Sequence, residues 1–168
     1  MLTRIRVGSF VLLSVMSSCA LSQASGDLNT TLRVNRIVVL ADGTESRQSA
    51  DQAGPGDVLE YVAEYHNSST HVIRQLAATL PIPDGTELVP ATAAPAGALA
   101  STDGTHFAAL PLTRKVLQAD GKLIEQPIPY REYRFLRWPS RDLAAGQSLQ
   151  VGARARLSNE PSAAKPAR

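Results

Sequence analysis

The sequence predicts an all-β, antiparallel two-layer sandwich of about seven strands behind a signal peptide. Three observations carry this expectation. Residues 58–66 alternate with a two-residue period: Leu59, Tyr61, Ala63 and Tyr65 share one face, and Glu60, Glu64 and His66 share the other. Val58 and Val62 are the apolar exceptions on that second face. Such alternation marks a half-buried strand of an antiparallel sheet. Turn signals recur along the chain at Asp42-Gly43, Gly54-Pro55-Gly56, Asp84-Gly85, Asp103-Gly104 and Asp120-Gly121. Finally, the Ala-rich stretches that favour helix are cut short by Pro81, Pro83, Pro90, Pro95 and Pro111.

The elements follow in order. Arg4 and Arg6 form a positive start, residues 7–16 an apolar run too short to span a bilayer comfortably, and small residues follow. Two processing routes are open. Ser22-Gln23-Ala24 presents small residues for cleavage after Ala24, giving a signal peptide over residues 1–24. Met16-Ser17-Ser18-Cys19 resembles a lipobox with Cys19 as the lipidated residue, although Met16 departs from the usual Leu, Val or Ile. Residues 25–30 read as a flexible leader and residues 31–157 as the sandwich domain.

Within the domain, residues 31–40 form a first strand, Asp42-Gly43 turns the chain, and the polar residues 45–53 form a ragged edge strand or loop. Gly54-Pro55-Gly56-Asp57 turns into the strand at 58–66, because Pro presets φ and Gly supplies φ > 0. Residues 71–80 follow as one strand, ended by Pro81 and Pro83. Short strands are expected near 86–89, 98–101 and 105–110, with an Ala- and Pro-rich loop at 90–98. A hairpin surrounds Asp120-Gly121, with residues 113–118 and 122–126 as its arms. Residues 130–138 form a further strand, and residues 147–157 a last one with Leu149, Val151, Ala153, Ala155 and Leu157 inward and Arg154 and Arg156 outward. The tail at 158–168 is polar and expected to be disordered.

Charge and cysteine content narrow the function classes. The net charge of +2 comes from Arg4 and Arg6, and beyond residue 24 the chain holds 15 basic and 15 acidic residues. No pull toward nucleic acid is expected. Residues 25–110 carry a net −6 and residues 111–168 a net +6. Cys19 is the only cysteine, so the domain has no internal disulfide to rely on. A membrane is expected to be met only through a lipid on Cys19, if the lipobox route is the one taken.

No cofactor or metal ligand set is expected. His66, His71 and His106 are the three histidines, without the ligand spacing of a zinc site. Asp57 and Asn67 bracket the clearest strand; as calcium ligands they lack neighbouring carboxylates, and as turn caps they need none. No nucleophile elbow or phosphate-binding glycine loop is present in the sequence.

Three blocks resemble the bacterial conserved-repeat family, also called domain of unknown function 11. They are Pro55-Gly56-Asp57 with Leu59, Tyr61, Ala63, Tyr65 and Asn67; Leu80-Pro81 with Asp84-Gly85-Thr86-Glu87-Leu88-Val89; and Trp138 with Leu143-Ala144-Ala145-Gly146-Gln147-Ser148 and the strand from Val151 to Leu157. Thr79 stands where the family often has Asp, and residues 111–134 look like an insertion. The resemblance implies an Ig-like sandwich in exported or cell-surface proteins and places Trp138 in the core beside Leu59, Tyr61, Tyr65 and Val151.

The best binding candidate is the aromatic and arginine mixture at residues 130–141: Tyr130, Arg131, Tyr133, Arg134, Arg137 and Arg141. Read as a strand, it sets Arg131, Tyr133, Phe135 and Arg137 on one face and Glu132, Arg134, Leu136 and Trp138 on the other. Together these features lead us to expect a non-enzymatic structural or adhesive module of the bacterial periplasm, outer membrane or cell surface, meeting envelope or surface proteins. The alternative is a periplasmic assembly factor or chaperone that pairs a client strand at a sheet edge.

Overall fold

The computed structural model describes residues 27–159. The expectations for the signal segment, Cys19 and residues 160–168 fall outside the described residues. Thirteen strands run in chain order: β1 (Leu28–Val39), β2 (Glu45–Ser49), β3 (Val58–Asn67), β4 (Ile73–Leu76), β5 (Thr79–Pro81), β6 (Thr86–Leu88), β7 (Leu99–Ser101), β8 (Ala108–Ala109), β9 (Thr113–Leu117), β10 (Leu123–Pro127), β11 (Phe135–Arg137), β12 (Arg141–Leu143) and β13 (Ser148–Leu157).

They form the expected all-β sandwich. One layer is a five-stranded antiparallel sheet in the order β2-β1-β3-β13-β6. The other is built from the four-stranded sheet β5-β11-β7-β8 and the pair β12-β4. The alternation in β3 does what its period requires: Leu59, Tyr61 and Ala63 are buried, and Tyr65 is half-buried against the core. From β13, Leu149, Val151, Ala153 and Ala155 face the same interior. Leu80, Ala100, Leu136, Tyr133 and Trp138 close it from the second layer, and all these residues belong to one cluster. The alanines that locally favour helix are thus used as small core residues beside Tyr61, Tyr133 and Trp138.

Three hydrogen bonds from two side chains pin the layers. The Tyr65 hydroxyl donates to the Thr79 carbonyl at 2.8 Å and accepts from the Thr79 N–H at 3.2 Å. Trp138 donates its indole N–H to the Pro95 carbonyl at 2.6 Å.

The count of about seven strands is corrected to thirteen, for identifiable reasons. The single strand expected at 71–80 is interrupted at Ala77 and Ala78, two residues after Gln75 with its φ of +54°, leaving β4 and β5, which join different sheets. The strand expected at 130–138 begins as a 3-10 turn, Tyr130–Glu132, and only Phe135–Arg137 pairs. The leader expected at 25–30 is already strand from Leu28, because Leu28, Asn29 and Thr30 pair with Asn67, His66 and Tyr65. The last strand lies centrally in the same sheet as the first. In the constant-type immunoglobulin order it lies in the opposing sheet, so the two-layer antiparallel architecture is what they share.

The expected hairpin around Asp120-Gly121 forms as β9 and β10, which pair only with each other. Every residue of the two strands except Val116 is exposed. An ion pair between Arg114 and Glu132 at 2.9 Å steadies its base.

Candidate functional site: an arginine-lined groove beside the last strand

The six binding candidates do not form one surface. Tyr133 is fully buried; its hydroxyl accepts the Leu112 N–H at 2.7 Å and its ring meets Tyr130 edge-on at 5.0 Å. It is corrected from a partner-binding residue to a core residue. Arg134 is held by Asp84 at 2.7 Å and by the carbonyls of Arg131 and Tyr133, so it ties a turn together. Arg137 lies 3.7 Å over the Phe107 ring and donates to Thr79 Oγ1. Arg131 is exposed and lines a small cavity with Glu87 and Arg156. Only Arg141 reaches the larger groove.

That groove, about 650 Å³, lies on the outer face of the five-stranded sheet and reaches the edge of β13. Register places its charges. Arg33 of β1 stands opposite Val62, Arg47 of β2 opposite Ile37, and Glu60 of β3 opposite both Asn35 and Arg154. Directly opposed residues share a face, so four strands bring these side chains together. Arg47 grips Glu60 with two hydrogen bonds, 2.6 and 3.0 Å. Arg154 makes a fork to Glu45, both bonds at 2.7 Å, and touches Glu60 at 3.4 Å. Arg33 pairs with Glu64 at 2.7 Å.

The Arg47 hydrogen bonds, helped by the charge of Arg154, hold the Glu60 carboxyl below its usual range. Glu45 is lowered mainly by its bond from Arg154. Arg141 is the cation of the lining that makes no ion pair or side-chain hydrogen bond among the described residues. Chemically the groove can therefore take an anionic group at Arg141, while its other guanidiniums are already satisfied by carboxylates.

The remaining candidates have local partners. Asp57 caps its turn by accepting the Gly54 N–H at 2.9 Å, and it pairs with Arg36 at 3.3 Å. Asn67 accepts the Ser69 N–H at 3.0 Å and donates to two carbonyls. His66 meets Ser148, His71 meets Asp27, and His106 meets Asp103. The bond from His106, with backbone N–H groups of His106 and Thr105, holds the Asp103 carboxyl well below the usual range.

Sequence reasoning missed Arg33, Arg47, Glu60 and Arg154 as a group. Outward parity was visible for Glu60 and Arg154, but the pairing that joins them was not. No family model, curated protein or solved structure matches the chain.

Proposed function

We propose that the protein is an exported, non-enzymatic module of the bacterial envelope that acts structurally or adhesively by contacting envelope or surface proteins. The observation that supports this is the β9–β10 ribbon. Leu117 and Leu123 stand directly opposite each other in its register and are each 66% exposed, with Ile124 beside them at 38%. A two-stranded ribbon is marginal alone in water, and an apolar pair at its end gains by being covered. The export signal expected from residues 1–24 and the resemblance to conserved-repeat domains are what support the compartment.

The test is a photo-crosslinking side chain placed at Leu117 in living cells, with the exposed Gln48 on β2 as control site. The expected result is a set of adducts with envelope proteins from position 117 and none from position 48. Intact mass should show a chain starting at Ser25 or at an acylated Cys19. Retention of Met1 in the cytoplasm, or no adduct at 117, would overturn the proposal.

A further inference from the structure

β13 is central in its sheet over only part of its length. On one side it pairs with β3 from Ser148 to Arg156. On the other, β6 covers only Ala155–Leu157, and a single bridge joins Ala94 to Gly152. Gly152 exchanges both backbone bonds with Ala94, at 2.7 and 2.8 Å. Backbone groups alternate sides along a strand, so the N–H and C=O of Gln150 point the same way as those of Gly152. No described strand pairs with β13 there before Gly152. The result is a short open edge inside a groove, the geometry that accepts an added strand through main-chain hydrogen bonds.

The groove also selects by charge. Arg33, Arg47, Arg141 and Arg154 line it against one carboxylate, Glu60, and the Arg141 guanidinium has no side-chain partner among the described residues. We infer that the edge of β13 around Gln150 accepts an extended acidic strand from another protein, with its backbone bonded to Gln150 and a carboxylate side chain engaged by Arg141. An unpaired guanidinium meeting a carboxylate makes a charge-assisted bond, the kind that fixes both register and preference.

The probe is a capped peptide of about six residues, the common strand length, alternating Val and Glu. A matched peptide carries Gln in place of Glu. Binding to the purified protein is followed by calorimetry. The acidic peptide should bind about tenfold or more tighter than the Gln peptide, and Arg141→Gln should abolish that difference. Gln150→Pro removes the free N–H from an edge without touching the β3 ladder, so it should weaken both peptides while thermal melting stays near wild type. An acidic peptide N-methylated at alternate amides tests the same bonds without any variant, and it should lose binding. Equal affinity for the acidic and Gln peptides, binding indifferent to Gln150→Pro and to N-methylation, or no binding of the acidic peptide would each overturn the inference.

Discussion

Asn67 is the buried polar residue on which the junction between the layers depends, and Asn67→Ala should expose that dependence. The residue is fully buried. Its Nδ2 donates to the carbonyls of His71 at 2.8 Å and Leu143 at 2.9 Å. Its Oδ1 accepts from the Ser69 N–H at 3.0 Å and the Ser69 hydroxyl at 2.7 Å. One amide thus ties the end of β3 to the following turn and to the end of β12. Truncation affects these bonds unequally. His71 and Ser69 are exposed or nearly so, and water replaces the lost partner there, at a net loss of about 0.5–1.5 kcal/mol each. Leu143 is only 3% exposed, so its orphaned carbonyl bears a desolvation penalty of about 1–3 kcal/mol.

The sum is about 2–6 kcal/mol, a large share of the roughly 5–15 kcal/mol that holds a domain together. Urea denaturation should show a lowered midpoint at unchanged slope. A loss below about 1 kcal/mol would refute the reasoning, because the Leu143 carbonyl would then have found another donor. Asn67→Asp sharpens the test. It keeps an acceptor for Ser69 but turns a carboxylate oxygen toward two carbonyls. The introduced carboxyl should titrate above its unfolded value of about 3.9. Its penalty should be complete at neutral pH and relax as pH falls, when the protonated group can donate again.

Two further outcomes are expected. In Gly152→Ala the added Cβ would lie 2.8 Å from the Tyr61 carbonyl and 3.4 Å from Val62 Cγ2, so β3 and β13 must part slightly. A loss of about 1–3 kcal/mol in urea is expected, and an unchanged midpoint would sink the argument. Glu60 has its folded pKa depressed by Arg47 and then by Arg154. Its contribution is therefore present above the unfolded value of about 4.3 and is lost as pH falls through the folded one. Between pH 7 and pH 3 the wild type should lose more stability than Glu60→Gln, and equal losses would refute the assignment.

What was legible in the sequence follows a physical line. β3 and β13 could be read because one face of each is buried along nearly its whole length, and a one-residue slip would turn Tyr61 or Val151 to solvent. Asp57 and Asn67 could be read as caps because their partners at Gly54 and Ser69 lie within three residues. The second contact of Asn67, to Leu143, is 76 positions away, and nothing local announces it. Residues 71–80 failed for a related reason: their apolar parity was intact, but the strand is interrupted at Ala77 and Ala78 and its two halves join different sheets, which nothing local announces.

The arginine and aromatic run failed because its parity carries little information. Both faces mix charged and apolar side chains, so burial does not select a phase. The 3-10 turn at Tyr130–Glu132 then resets the alternation before β11 begins. Tyr133 is consequently buried against Leu112, and Arg134 and Arg137 are drawn to Asp84 and Phe107. Of the six candidates only Arg131 and Arg141 remain exposed. What separates them is again long-range register. The order β2-β1-β3-β13 gives Arg33, Arg47 and Arg154 their carboxylates within the sheet. Arg141 sits on β12, which pairs with β4 in the other layer and shares none of those acids. Its charge is left over beside the groove, where an incoming carboxylate can meet it without displacing the acids that hold Arg33, Arg47 and Arg154.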